Sequence, residues 1–390
     1  MVHHGRSPLA LLLLLPLTLA GCQAASRASN EASPSPTRAP ATTTPASTGG
    51  VPPLLDAHDL YAADRPGMLS ATAAQARSLI YVPDDDDATV HVIDPATFRV
   101  IKVEKVGKLP QHVTPSYDLK TLWVDNDQGN SLTPIDPRTG VFGKPVPVTD
   151  PYNLYFTADG RHAVVVAERL RRLDFRDPHT MALQHSLQVP CKGVDHADYS
   201  PDGTHALFSC EFSGQMLWVD MAHERVERTL RLPYETSQRP KPQDVKISPD
   251  GKVFYVADEN SNGVFLIDSG TLKVLSFLPT GLGAHGLYVS RDSRDLYVTN
   301  RRGGSVSVVS FATRQIRTTW MIPGGTPDMG GVSADGKVLW LSGRYSREVY
   351  AMRTSDGHLL ARIRVGGQPH GLCVWPQPGR YSLGHTGVLR

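Results

Sequence analysis

Histidine and aspartate recur at one kind of place in this chain. The dipeptides Gln111-His112, Tyr152-Asn153, Asp195-His196, Gln243-Asp244, His285-Gly286, Asp328-Met329 and His370-Gly371 each stand directly before a short apolar run. Four of these pairs carry a His and three an Asp. Imidazole nitrogens and carboxylate oxygens are ligands of Zn, Cu and similar first-row metals, and they also serve as general acids and bases. His112, His196, His285, His370, Asp195 and Asp244 are therefore the candidate metal or acid–base set, if the fold brings them together. A plainer role competes, because an imidazole ahead of a strand also caps its loop by bonding to the backbone. No catalytic residue is assigned.

The cysteines offer a second chemistry. Cys191 lies in a loop before an apolar run and Cys210 ends the run that follows. In an oxidising compartment a Cys191–Cys210 disulfide is the preferred reading. The alternative is a thiolate pair joining His196 at a soft metal site. Cys373 sits inside an apolar strand and reads as an inert core thiol. Nothing resembles a nucleophile elbow, a phosphate-binding loop, a dinucleotide fingerprint or a haem-attachment motif.

The elements that must position these groups are short strands. Lys241–Val274 shows the unit most clearly: Val245 and Ile247 alternate, Ser248-Pro249-Asp250-Gly251 turns, and Val253-Phe254-Tyr255-Val256 returns. Val264–Asp268 and Lys273–Leu275 complete a four-stranded antiparallel meander. Asp118, Asp159, Asp202, Asp250, Asp292 and Asp335 mark its copies, at a period of about 41–48 residues, the length of one propeller blade. A seventh copy is split. Gln368–Val374 supplies its first strand, and Leu79–Val82, Val90–Asp94 and Ile101–Val103 supply the other three. The ends must meet to close a ring without exposed sheet edges.

Pro-x-Gly-Leu, Ser-Pro-Asp-Gly, Leu-Tyr-Val-Thr-Asn and Val-x-Val-Ile-Asp together resemble the YVTN-repeat (YncE-like) family of seven-bladed β-propellers. The best copies are Gly286–Ser290 with Leu296–Asn300, and Val245–Val256. The resemblance runs from about Leu79 to Val374 and implies the fold far more than an activity. It implies extracytoplasmic relatives of mostly unassigned role, with sugar-lactone hydrolases, amine dehydrogenase subunits and d1-haem domains as neighbouring propellers.

The ring geometry then sorts the loops. The Asp-Gly turns lie on one face. The His/Asp corners and the loops Asp84–Asp87, Asp125–Asp127, Glu168, Glu211, Asp258–Asn260, Asn300–Arg302 and Arg344-Tyr345 lie on the other, around the channel mouth. Asp84–Asp87 reads as a solvated turn, since its spacing matches no calcium loop.

Residues 1–21 read as a lipoprotein signal peptide. His3, His4 and Arg6 precede the apolar Leu9–Leu17, too short to span a bilayer, and Leu19-Ala20-Gly21-Cys22 ends it as a lipobox. Cys22 is the expected lipidation site, and the anchor is acyl chains in the membrane. Residues 22–53 are a Ser/Thr/Pro/Ala-rich disordered tether, 54–78 a lead-in segment, and 79–390 the all-β propeller. The segment Arg380–Arg390 has no place in the repeat, and either adds a strand or crosses one face. A net charge of +2 is too mild for a nucleic-acid footprint.

The resulting expectation is a lipid-anchored, extracytoplasmic binding or scaffolding propeller whose protein or small-molecule ligand sits at the His/Asp-rich mouth. The alternative is a metal-dependent enzyme, a lactonase-like hydrolase or an oxidoreductase accessory, using the mouth histidines.

Overall fold

The computed structural model describes residues 50–390, and the signal segment, Cys22 and most of the tether lie outside them. Seven antiparallel sheets follow one another round a ring. The ring closes as the sequence requires. Cys373–Trp375 is the innermost strand of the sheet formed by Leu79–Asp84, Thr89–Asp94 and Arg99–Lys105, with Leu79 opposite Trp375 and Tyr81 opposite Cys373.

The Asp-Gly turn explains why each blade starts as it does. In the Lys241–Val274 copy, the Ser248 hydroxyl donates to Asp250 at 2.6 Å and accepts from the Val253 amide at 3.0 Å. Gly251 takes φ +71°, which an L side chain resists. The three inner strands of each blade are buried and the outer one is largely exposed, as in Arg99–Lys105 and Gln315–Met321. The core is therefore shared between neighbouring blades. Tyr155, Tyr199, Phe208 and Leu217, from two blades, pack in one cluster.

Two expectations are corrected here. Five of the seven corner pairs do not precede the innermost strands but lie inside them, as in Pro110–Pro115, Val194–Tyr199 and Ala284–Val289, whereas Tyr152-Asn153 straddles the start of Asn153–Phe156 and His370-Gly371 does precede Cys373–Trp375. A register irregularity falls at each of the five pairs inside strands, for example between Ala284 and Leu287. A bulge there re-aims the side chain towards the axis. Leu60 and Tyr61 of the lead-in pack in one cluster with Phe254 and Ile267. Asp84–Asp87 is not a solvated turn throughout. Asp84 is fully buried and accepts from the Gln368 amide at 2.9 Å, while Asp85 pairs with Arg344.

The C-terminal segment adds strands, one of the two alternatives the sequence left open. Ser382–Gly384 and Val388–Leu389 extend the Asn153–Gln188 blade at its inner edge, and His385 donates its amide to Leu154 at 2.7 Å. A side chain at Gly384 (φ +109°) would meet the Leu154 carbonyl at 2.4 Å, so only glycine admits this approach. The segment thus runs into the channel and carries His385 to the axis.

Candidate functional site

Bulged innermost strands bring His112, His196 and His285 to the channel, His370 enters from just before its strand, and the tail adds a fifth imidazole. Ring centroids of His112 lie 5.5 Å from His196, 5.0 Å from His370 and 5.1 Å from His385. His196 and His385 are 4.7 Å apart, and His285 is 6.0 Å from His370. None of the five is more than 3% exposed.

Burial, with added repulsion from neighbouring cations and imidazoles, holds all five below the usual range. His112 is pushed down to about 4. The rings are therefore neutral at pH 7, and each has one N–H and one bare nitrogen. The hydrogen-bond partners decide which nitrogen is which. Nδ1 of His112 donates to the Tyr152 carbonyl at 2.9 Å. Nδ1 of His370 donates to Asp328 at 2.7 Å, and Nδ1 of His285 faces the same carboxylate at 3.1 Å. Their Nε2 atoms consequently carry lone pairs. The buried Nε2 atoms of His112, His196, His370 and His385 have no hydrogen-bond partner.

An ion-pair ladder runs round the mouth. Lys241 bridges Glu211 at 2.9 Å and Glu259 at 2.8 Å. Arg301 bridges Glu259 at 2.9 Å and Asp328 at 3.2 Å. Arg344 links Asp328 to Asp85. Despite full burial, Arg301, His285 and Arg344 hold the Asp328 carboxyl below its ordinary range. Asp195 and Glu168 face Glu211 across the mouth with no lysine or arginine paired to either among the described residues. Burial and this repulsion push Glu168 up to about 8.

The structure treats the six sequence candidates differently. It brings ring nitrogens of His112 and His196 within 4.8 Å of each other, together with one from His385. His285 and His370 share the channel but are tied to Asp328. Asp195 lies beside His196, 3.1 Å from its Nε2. Asp244 accepts the Val245 and Leu287 amides, both at 2.9 Å, so its carboxylate is occupied. Cys191 and Cys210 are joined in a disulfide with Cα atoms 6.1 Å apart, which leaves no thiolate pair for His196. Cys373 is free and buried.

His385, Asp328 and Asn153 are the important residues outside that set. Asp328 and Asn153 occupy the same corner register as the histidines, a signal available in the repeat. His385 lies outside the repeat, and no spacing pointed to it.

A family model for the YNCE-like beta-propeller matches residues 51–378. The Salmonella typhi protein called "Uncharacterized protein YncE" is 21% identical over 327 residues, covering 77% of this chain and 86% of that protein. Among solved structures, the periplasmic gluconolactonase PpgL of Pseudomonas aeruginosa superposes with a TM-score of 0.63 at 19% identity, over 77% of this chain and 99% of that one. A chain of hydrazine synthase from Kuenenia stuttgartiensis does so with a TM-score of 0.60 at 19% identity, over 74% and 98%. At such identities the solved structures share the fold alone.

Proposed function

The chain belongs to the YNCE-like beta-propeller family, and from that premise we propose that it is a lipid-anchored, extracytoplasmic binding protein for a cationic ligand at the axial channel. The observation that carries this reading is the set of buried imidazole Nε2 atoms without hydrogen-bond partners, bare in His112 and His370, beneath a mouth where Asp195, Glu168 and Glu211 converge. Bare imidazole lone pairs below a cluster of acidic side chains suit an electron-poor guest. The lipobox at Cys22 supports the anchored location, and the Cys191–Cys210 disulfide suits an oxidising compartment.

The enzyme alternative is less favoured. A sugar lactone or redox substrate has to reach the imidazoles, and the tail and the Arg301–Asp328–Arg344 ladder close over rings that are at most 3% exposed.

Thermal unfolding of the full chain against metal ions and linear polyamines tests the reading. A true ligand at a hundred times its Kd adds about 2.7 kcal/mol of stability. The expected result is a dose-dependent rise with at least one cation, weakened in Asp195→Asn. If only neutral or anionic compounds stabilise the protein, the reading falls.

A further inference from the structure

We propose that the axial site is a divalent transition-metal centre built by His112, His196 and His385, and that the side-chain amide of Asn153 sets the tautomers of the last two rings together. The inference rests on the cationic-ligand reading and names its ligand class.

The geometry comes first. One nitrogen of each ring lies within 4.8 Å of one from each of the other two, and Nε2 is taken as the ligand atom of each because every Nδ1 is engaged by the Tyr152 carbonyl or the Asn153 amide. Three nitrogens about 2.1 Å from a tetrahedral Zn²⁺ are about 3.4 Å apart, so each ring has to move inward by no more than about 0.8 Å. Neutral imidazoles are the form a metal takes. His112 is already in the right tautomer, because its Nδ1–H is fixed on the Tyr152 carbonyl and its Nε2 is bare. A ring held through Nδ1 on a carbonyl or carboxylate is the usual outer-shell arrangement at metal sites.

Asn153 supplies the other two. Its amide nitrogen lies 3.1 Å from Nδ1 of His196 and 3.2 Å from Nδ1 of His385, while its oxygen accepts the Leu154 amide at 2.9 Å. With the NH2 end inward both rings accept at Nδ1 and carry their protons on Nε2. For His196 that proton faces Asp195 at 3.1 Å. A half-turn of the amide puts its oxygen inward. Both Nδ1 atoms then donate to it, both Nε2 atoms become bare, and the ligand set is complete. The cost is the Leu154 bond. One amide therefore switches two ligands between a proton-bearing and a metal-ready state. Because His385 comes from the C-terminal segment, the metal also pins that segment in the channel.

A second group, His205, Asp220 and Glu227, has ligand spacing but is already satisfied. His205 pairs with Glu227 at 3.2 Å, and Asp220 pairs with His223 at 2.7 Å and Arg225 at 3.3 Å. It serves as the control.

The test is Co²⁺ and Zn²⁺ titration of the full chain carrying no His tag, followed by calorimetry and the Co²⁺ visible spectrum. Wild type is expected to take one equivalent with the intense bands of a tetrahedral nitrogen site. His112→Gln and His385→Gln, which nearly keep side-chain size, should each lower affinity at least tenfold. Asn153→Asp, an obligate acceptor toward both Nδ1–H groups, should retain the bands and bind no more weakly than wild type. Limited proteolysis should show the 380–390 segment better protected with metal in wild type and not in His385→Gln. Unchanged affinity in both Gln variants, or loss of binding in a His205→Gln control instead, overturns the site. Stabilisation by a polyamine with no Co²⁺ bound overturns the metal while leaving the cationic-ligand reading intact. If neither binds, both fall.

Discussion

The guanidinium of Arg390 lies 2.8 Å from the carboxylate of Asp198, 192 positions earlier in the chain, and both are buried. The other Asp198 oxygen accepts the Ile247 amide at 2.9 Å and faces the Tyr61 hydroxyl at 3.3 Å. The Arg390 guanidinium also lies over the Tyr61 ring at 4.9 Å. One residue of the innermost strands thus fastens the C-terminal segment, the next blade and the lead-in.

Removing one partner of such a pair strands the other charge. Arg390→Ala should cost about 3–5 kcal/mol in urea unfolding, because Asp198 keeps its burial and loses its cation. Arg390→Ala/Asp198→Asn should cost clearly less than the two single changes summed. Additive losses would show that the two groups act independently.

Asp64 gives a signed pH prediction. Burial raises its carboxyl to about 6, against the opposing pull of Arg291, Arg390 and Lys246 and with a small push from Asp59. The folded state therefore holds this proton more tightly than the unfolded state. Its contribution is fully present below the unfolded pKa, near 4, and is lost as pH rises through about 6. Asp64→Asn should be more stable than wild type at pH 7 by about 2–3 kcal/mol, with the difference fading towards pH 4. Denaturant curves at pH 4 and 7 read it, and a gap that does not change with pH refutes it.

The Cys191–Cys210 disulfide closes a loop with a sequence separation of 19. Its reduction should lower stability by about 3 kcal/mol. The buried Cys373 thiol, pushed up by burial, should stay unreactive to a thiol reagent in the folded protein and react on unfolding. Labelling of Cys373 at native pH and temperature would contradict the packing.

In the proposed function, membrane attachment depends on Cys22. Cys22→Ser should move the protein from the membrane to the soluble fraction of the cells that make it and abolish incorporation of a labelled fatty acid. Fractionation of the variant with the membrane would remove the lipid anchor from the proposed function.

The repeat made the ring legible from residues alone. Ser248-Pro249-Asp250-Gly251 and its copies fix where each blade turns, Val and Tyr alternation fixes which faces pack, and the split seventh copy forces Cys373–Trp375 beside Leu79–Tyr81. These are local signals, repeated often enough to confirm one another. His112, His196, His285 and His370 were visible for the same reason, since they share a register.

Their division of labour was not visible. Whether an imidazole faces Asp328 or a backbone carbonyl depends on partners 40 or more residues away, and the bulges that aim His112, His196 and His285 arise from strand pairing. His385 was wholly hidden. It enters the channel because Gly384 lets the chain pass against Leu154 and Arg390 finds Asp198. Composition and period determined the scaffold, because propeller packing repeats from blade to blade. Tertiary structure alone decided the centre, where one strand from each blade meets a segment that repeats nothing.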